Sequence, residues 1–443
     1  MNPTPPPDRA ASQVPTVVWS YRRTGKFAFH VLTGALESDP ARPAPPIEFA
    51  IGPDHVVRAV RAALAGGHPV LVGWSFYSPD FLAMAAELRA MRAQIEDPRV
   101  LHVAGGVHAT AEPLATLEAG FDLVAVGEGE HTIRALVAAL AAGQDPRGSQ
   151  GVAWREAGRL RTHGRAPRTD LDTFPPFAPA HGRVGPIEIT RGCIYACRFC
   201  QTPFFAGARF RHRSLASIRT WLRALVALDL RDYRFLTPTS LSYGSEGPEP
   251  DLAAVEALLA MAREEIGSRR RLFFGTFPSE VRPEHVTPQA LALIRRYADN
   301  RTLILGGQSG SDRLLERSAR GHDAAAIERA AALALESGFQ PHVDFLFGMP
   351  GEDADDVAAT VALMDRLVAR GARVHGHTFL PLPGTPWRRA APGRIAPELR
   401  RHLLTLASRG QLYGQWQQQE SVAHALAGRQ GVSGTPGTST LPS

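Results

Sequence analysis

The sequence predicts an α/β protein in two parts, a doubly wound parallel sheet followed by a partial (β/α)6 barrel, and three observations predict it. Short apolar runs alternate with amphipathic helices over residues 16–145, the rhythm of βαβ units whose strands pair in parallel. That rhythm breaks over residues 146–186, where Pro175 and Pro176 can neither donate to a sheet nor continue a helix. It restarts at Ile187 and runs through six strand–helix repeats to residue 379. A chain of 443 residues also exceeds what one hydrophobic core supports.

Residues 1–15 are Pro-rich and polar, read as disordered and unlike a signal peptide. Strands are then expected at 16–19, 47–51, 70–74, 100–104 and 123–126. Between them, 53–65 sets Val56, Val60, Ala63 and Leu64 on one helical face, and 80–91 does so with Phe81, Met84, Leu88 and Met91. In such sheets ligands bind beyond the carboxyl ends of the strands. Those ends carry Ser75 and Tyr77, then Gly105, Gly106 and His108, then Gly127, Glu128 and Gly129. Glycines there permit close backbone approach to a bulky ligand, and serve a tight turn equally well.

Residues 146–186 read as a linker with a possible hairpin over 151–161. Strands follow at 187–190, 233–236, 272–275, 302–305, 342–347 and 373–379, with helices at 214–228, 251–266, 288–297, 324–337 and 353–369. Barrel chemistry sits at the carboxyl ends of the strands. The loop after the first strand holds Cys193, Cys197 and Cys200, all the cysteine the chain has. Three thiols on one short loop can each ligate an iron of one cluster and leave another iron without a protein ligand. An open position is what a metal centre needs to act on a small molecule. A structural zinc site would want a fourth ligand, and His212 is the near candidate.

The spacing CxxxCxxC, with Phe199 before the last cysteine and Thr190-Arg191-Gly192 before the first, resembles the signature of radical S-adenosylmethionine (radical SAM) enzymes. The resemblance implies a [4Fe-4S] cluster on the three cysteines, with SAM on the fourth iron. It further implies SAM contacts at Phe199, at Thr237 and Ser240 after the second strand, at Gln308 and Ser309 after the fourth, and at Gly348 and Pro350 after the fifth. The segment Thr237-Pro-Thr-Ser240 matches the family only in position, since a Gly-Gly-Glu-Pro-like sequence usually stands there.

Gly-Gly-x-His-x-Thr at 105–110 and Val-Gly-Glu-Gly-Glu at 126–130, just ahead of such a core, look like the cobalamin-binding domain of B12-dependent radical SAM enzymes. Residues 16–145 would then be a Rossmann-like cobalamin domain and 187–390 a radical SAM partial barrel. The sequence lacks Asp-x-His-x-x-Gly, which in other cobalamin families supplies a lower-face histidine. His108 fits a loop-shaping or tail-contacting role better than a cobalt ligand.

The expected function is reductive cleavage of SAM to a 5'-deoxyadenosyl radical, with cobalamin-dependent methylation of an unactivated carbon of a small-molecule or natural-product-like substrate. A flavodoxin or ferredoxin would supply electrons, and the chain would act as a monomer. Alternatives are a radical SAM enzyme without bound cobalamin, a methylthiotransferase and a non-catalytic Fe-S sensor. Methylthiotransferases carry a second cluster on cysteines of the first domain, and this first domain has none.

With 44% hydrophobic and 21% charged residues the chain reads as globular, and no apolar run approaches the roughly 20 residues of a membrane span. It is assigned to the cytoplasm, where thiols stay reduced. The net charge of +6 is a small excess of 49 basic over 43 acidic residues. Clusters such as Arg209, Arg211 and Arg213, or Arg269, Arg270 and Arg271, read as a solvated face rather than a nucleic-acid footprint. After residue 390 a helix over 397–412 aligns Leu399, Leu403 and Leu406. From about residue 415 the sequence reads as a disordered tail with no room for an RNA-binding barrel.

Overall fold

The computed structural model describes residues 14–429. The chain falls into two compact units that divide between Gly185 and Pro186.

In the first unit, strands β1 (Thr16–Ser20), β2 (Ile47–Ala50), β3 (Val70–Ser75), β4 (Val100–Gly105) and β5 (Leu123–Ala125) are all parallel. The hairpin β6 (Val152–Glu156) and β7 (Arg159–Thr162) adds antiparallel to β5. The resulting seven-stranded order is β2-β1-β3-β4-β5-β6-β7. The segment expected to link two domains therefore contributes two strands to the first unit's sheet.

Both faces of this sheet are covered, as a doubly wound sheet requires. Val18, Val72, Val60, Leu88 and Phe121 share one core cluster, while Trp19, Leu71, Phe29 and Leu136 share the other. Helix Pro53–Ala65 begins with proline in its first turn and Asp54 beside it, both suited to a helix start. At Gly73 an added Cβ would lie 2.2 Å from the Trp19 ring, so the strand needs glycine there.

The second unit begins with β8 (Ile187–Glu188) and an antiparallel pair, β9 (Thr190–Arg191) with β10 (Arg211–His212), which brackets the cysteine loop. Then come β11 (Asp232–Leu236), β12 (Arg271–Phe273), β13 (Thr302–Gln308), β14 (Gln340–Phe347), β15 (Arg373–Thr378) and β16 (Leu412–Tyr413). They form two parallel sheets, β12-β11-β8 and β13-β14-β15-β16. A bridge between Val281 and Leu305 joins the two sheets, supported by Ile304 N–H donating to Gly275 O at 3.0 Å. Along β14, buried Val343, Phe345 and Phe347 alternate with half-buried His342, Asp344 and Leu346. The second set lies on the opposite face of the sheet, where Leu346 packs on the cluster of Leu314, Met349, Phe379 and Trp387.

The carboxyl-terminal reading needs correction. Residues expected to form a tail from about 415 instead build helix Trp416–Arg429. Trp416, Ala423, Leu426 and Ala427 are buried and recur at helical spacing. Gln-rich composition hid that stripe. Thr378 Oγ1 donates to Trp416 O at 2.7 Å, and Thr378 N–H donates to Gln419 Oε1 at 2.9 Å, fastening the helix to β15. The expected disorder of 1–15 and of the final residues falls on 1–13 and 430–443, outside the described residues.

Candidate active site

The cysteine loop owes its shape to its neighbours. Gly192 has φ 84°, and a Cβ there would lie 2.1 Å from Arg209 O, so only glycine passes under that segment. Cys193 N–H donates to Gly207 O and Arg198 N–H to Ser318 O, each at 3.0 Å. Cys197 is buried, Cys193 and Cys200 are half-buried, and all are free thiols. Three free thiols on one short loop are the donor set that a protein offers to three irons of a cluster, so the residues present fit a [4Fe-4S] group. Burial pushes the Cys193 thiol up to about 11 and the Cys200 thiol upward as well. Ligation must therefore displace protons from bare thiols at neutral pH.

His212 is no fourth ligand. Its Nδ1 meets Thr190 Oγ1 and its Nε2 meets Ser245 O, both at 2.9 Å, so both ring nitrogens are engaged.

Sequence reasoning missed a buried ionic group behind the loop. Arg320, 4% exposed, approaches Cys197 Sγ through Nη1 at 3.6 Å, Gly306 O through Nη2 at 2.6 Å and Glu280 Oε1 at 3.4 Å. Burial raises the Glu280 pKa against the pull of Arg320. Burial disfavours the Arg320 cation, yet Glu280 and Cys197 together hold its pKa above the ordinary value. Arg282 donates to Arg320 O and stacks on Tyr195, its guanidinium carbon 3.6 Å from the ring centroid. No motif spacing marks these residues; the segments that follow β12 and helix Asp312–Arg317 bring them to the loop.

The SAM positions divide by what their side chains already do. Thr237, Thr239 and Ser240 are all buried beyond β11. Thr237 Oγ1 donates to Thr239 O at 3.0 Å, whereas Thr239 Oγ1 and Ser240 Oγ are buried without a hydrogen-bond partner. Orphaned buried hydroxyls cost about 1–3 kcal/mol each. A polar ligand would satisfy them, so this segment fits the amino or carboxylate end of SAM. Thr239 was not singled out in the sequence, though it belongs to the same short segment.

Gln308 ends β13 with φ 78°, beside a bulge at Leu305 and Gln308, a conformation that side-chain-bearing residues rarely adopt. Ser309 is already engaged, its Oγ 3.2 Å from Thr360 Oγ1 and accepting Ser311 N–H at 3.1 Å. Gly348 makes room for chain: a Cβ would lie 2.5 Å from Arg394 N. Its own N–H donates to Glu352 Oε2 at 2.8 Å. Pro350 is half-buried beside it. Phe199 packs in one apolar cluster with Met349, Leu314 and Phe379, so the cysteine loop and the β14 loop are brought together. Tyr195 and Tyr243 are committed to Pro248 O and Arg213 O through their hydroxyls.

In the first unit, Ser75 and Gly105 are register partners at the ends of β3 and β4. Gly106 follows with φ 90°, where a Cβ would stand 3.0 Å from Ser75 Oγ. Tyr77 is 47% exposed. With glycine at 105 and 106 and the Tyr77 side chain partly exposed, that edge offers backbone and one aromatic ring, which fits a broad flat ligand such as cobalamin. His108 packs inward, its Nδ1 3.0 Å from Ser78 Oγ and its ring 4.4 Å from that of Phe81. Glu128 is buried and accepts Thr169 N–H at 2.9 Å, and Gly127 N–H donates to Thr110 Oγ1 at 3.0 Å. Gly129 packs closely on Leu32, which a Cβ would approach to 2.7 Å. These residues shape the loop that carries the edge.

The arginine clusters are largely occupied within the fold. Arg213 is buried, and Arg270 and Arg271 pair with Asp229 and Asp232.

The family model of the radical SAM superfamily matches residues 187–364, and that of the B12 binding domain matches residues 47–137. The chain is a B12-binding-domain radical SAM protein. Among solved structures, this B12-binding radical SAM chain is similar to the radical SAM methyltransferase TsrM from Kitasatospora setae, solved with cobalamin and a [4Fe-4S] cluster. The TM-score is 0.65 at 21% identity, over 87% of this chain and 76% of that one. It is also similar to the cobalamin-dependent radical enzyme OxsB, with a TM-score of 0.62 at 16% identity over 80% of this chain and 52% of that one. Both likenesses concern the fold. Curated relatives include tRNA-2-methylthio-N(6)-dimethylallyladenosine synthases. That of Hydrogenovibrio crunogenus is 29% identical over 45% of this chain and 41% of that protein. That of Geobacter sulfurreducens is 30% identical over 49% and 47%. The chain spans about half the length of these relatives. Among the described residues, no helix is long and apolar enough to cross a membrane.

Proposed function

We propose that this cobalamin-dependent radical SAM enzyme methylates an unactivated carbon of a small-molecule substrate, with electrons from a flavodoxin or ferredoxin. The observation that carries the reading is the cysteine loop, linked through Arg320 and Glu280 to the segment of unsatisfied buried hydroxyls, in a chain that also has a B12-binding domain. When bound, the cluster would supply the electron that cleaves SAM and cobalamin the methyl group. Cys193, Cys197 and Cys200 would hold three irons as thiolates. Arg320 would offset their negative charge from the buried side, Thr239 and Ser240 would fix the polar end of SAM, and Phe199 and Met349 would exclude water. The TsrM structure solved with tryptophan and a SAM analogue supports a small-molecule acceptor.

The test is anaerobic turnover of cluster- and cobalamin-loaded protein with SAM, a reductant and candidate substrates, followed by mass spectrometry. A product heavier by one methyl group, formed with cobalamin only, is expected. 5'-Deoxyadenosine with an unmethylated product would replace methylation by another radical reaction.

The curated relatives favour a second reading, methylthio transfer to tRNA. The chain's three cysteines all stand in one loop, which leaves no thiols for a second cluster elsewhere in this sequence. Incorporation of sulfur into tRNA under the same conditions would establish that reading instead.

A further inference from the structure

Three donor atoms converge in the second unit on residues that neither cofactor reading uses. Asp344 on β14 and His375 on β15 are register partners, and His377 follows two residues on, along the same face. Asp344 Oδ1 lies 2.8 Å from His375 Nδ1, which lies 3.2 Å from His377 Nε2. All three donors fall within 4.8 Å of one another. Metal bonds of about 2.1 Å at octahedral to tetrahedral angles set neighbouring donors roughly 3.0–3.4 Å apart. The two close spacings already match that range to within a few tenths of an ångström.

Hydrogen bonding alone does not satisfy the group. A carboxylate only accepts, and each neutral imidazole carries one proton. With the proton on His375 Nδ1 it serves Asp344, and the His377 Nε2 lone pair faces a nitrogen already donating. With a proton on His377 Nε2 it serves His375, and the Asp344 carboxylate then faces a lone pair at 2.8 Å. A cation at the centre removes the conflict, because all three atoms can offer it a lone pair.

The surroundings hold the rings in place. Tyr413 stacks on His375 with centroids 4.4 Å apart and planes 11° from parallel, and its hydroxyl meets His342 Nδ1 at 2.9 Å. Gln419, fixed by Thr378 N–H, reaches His377 Nδ1 at 3.4 Å. Such outer contacts orient metal ligands. The side chains of His375 and Asp344 are 27% and 14% exposed, so further coordination positions stay accessible.

We propose that Asp344, His375 and His377 bind a divalent first-row transition metal as a two-histidine, one-carboxylate set. Its open positions would anchor a carboxylate or carbonyl oxygen of a small-molecule substrate. The proposal does not depend on SAM cleavage or methyl transfer.

The test uses the cluster-loaded full chain and Mn(II), a probe with little affinity for thiolates. Free Mn(II) is followed by EPR, and bound Mn(II) by pulsed EPR for histidine nitrogen couplings. One Mn(II) per chain with such couplings is expected, with affinity at least about tenfold weaker in Asp344→Asn and His377→Ala. His402→Ala, at a partly exposed histidine paired with Asp365, should leave binding unchanged. Absence of binding in the wild type, bound Mn(II) without nitrogen couplings, or undiminished binding in both ligand variants would overturn the site. The couplings are read on the wild type, so misfolding of a variant does not decide the matter.

Discussion

Arg320 Nη1 lies 3.6 Å from Cys197 Sγ, which gives one of the three candidate cluster ligands a buried cationic donor. A hydrogen bond from a charged group stabilises a reduced cluster more than an oxidised one, because reduction adds negative charge to the sulfurs. Such a bond contributes about 1.5–3 kcal/mol, or roughly 60–130 mV for a one-electron couple. Arg320→Gln should therefore lower the cluster midpoint potential by that order, and Arg320→Lys, which keeps the charge, by less. An EPR-monitored redox titration reads the shift. Unchanged potentials in both variants would reduce the contact to packing.

Thr239 Oγ1 and Ser240 Oγ stand buried and unpartnered behind β11. Removing an unsatisfied buried hydroxyl relieves a desolvation cost. Thr239→Val, similar in shape, should raise the stability of SAM-free protein by about 1 kcal/mol. The same substitution should weaken SAM binding about tenfold in calorimetry on cluster-loaded protein. Loss of stability without a change in affinity would show that the hydroxyl serves the fold.

Glu352 gives a pH dependence with a defined sign. Burial raises its pKa to about 7 from an ordinary 4.5, although Gly348 N–H opposes the shift. Between those values the folded state binds more protons than the unfolded chain. The group's contribution to stability is thus fully present below about pH 4.5 and is lost as pH rises through 7. Glu352→Gln keeps an acceptor for Gly348 and should flatten that decline, with a gain on the order of 1 kcal/mol at pH 8. Urea unfolding at pH 5 and pH 8 measures it; parallel pH profiles for the two proteins would assign the shift to another group.

The parts of the site legible in the sequence are local ones. Cys193, Cys197 and Cys200 share one loop after a short apolar strand, so spacing alone brought them together. Arg320 stands 123 residues from Cys197, and only closure of β13 over the earlier strands joins them. The same limit applied to Asp344 and His375, which meet through the register of β14 and β15. Other positions carry a structural duty that the sequence does not announce. Gly348 leaves room for residues 393–394. His108 meets Ser78, as its loop-shaping reading expects, and Glu128 accepts the Thr169 N–H. Such contacts come from distant parts of the chain, so local sequence does not show them.

Composition misled most at the carboxyl end, and Trp416 tests the correction. It is 4% exposed, its carbonyl accepts Thr378 Oγ1, and its ring lies 3.2 Å from where a Cβ on Gly376 would stand. β15 thus packs against the helix at the one residue whose small size admits an indole. Trp416→Ala would leave a cavity between helix Trp416–Arg429 and β15, and large aromatic deletions of this kind cost about 3–5 kcal/mol. Chemical unfolding should show that loss in full. In a disordered tail the same substitution would be neutral, so a change under about 0.5 kcal/mol would return the segment to the reading that its glutamines invite. Gln419 supplies an internal comparison, because its Oε1 accepts Thr378 N–H from the same helix. Gln419→Ala should cost about 1 kcal/mol, the worth of one hydrogen bond, and so rank well below the indole.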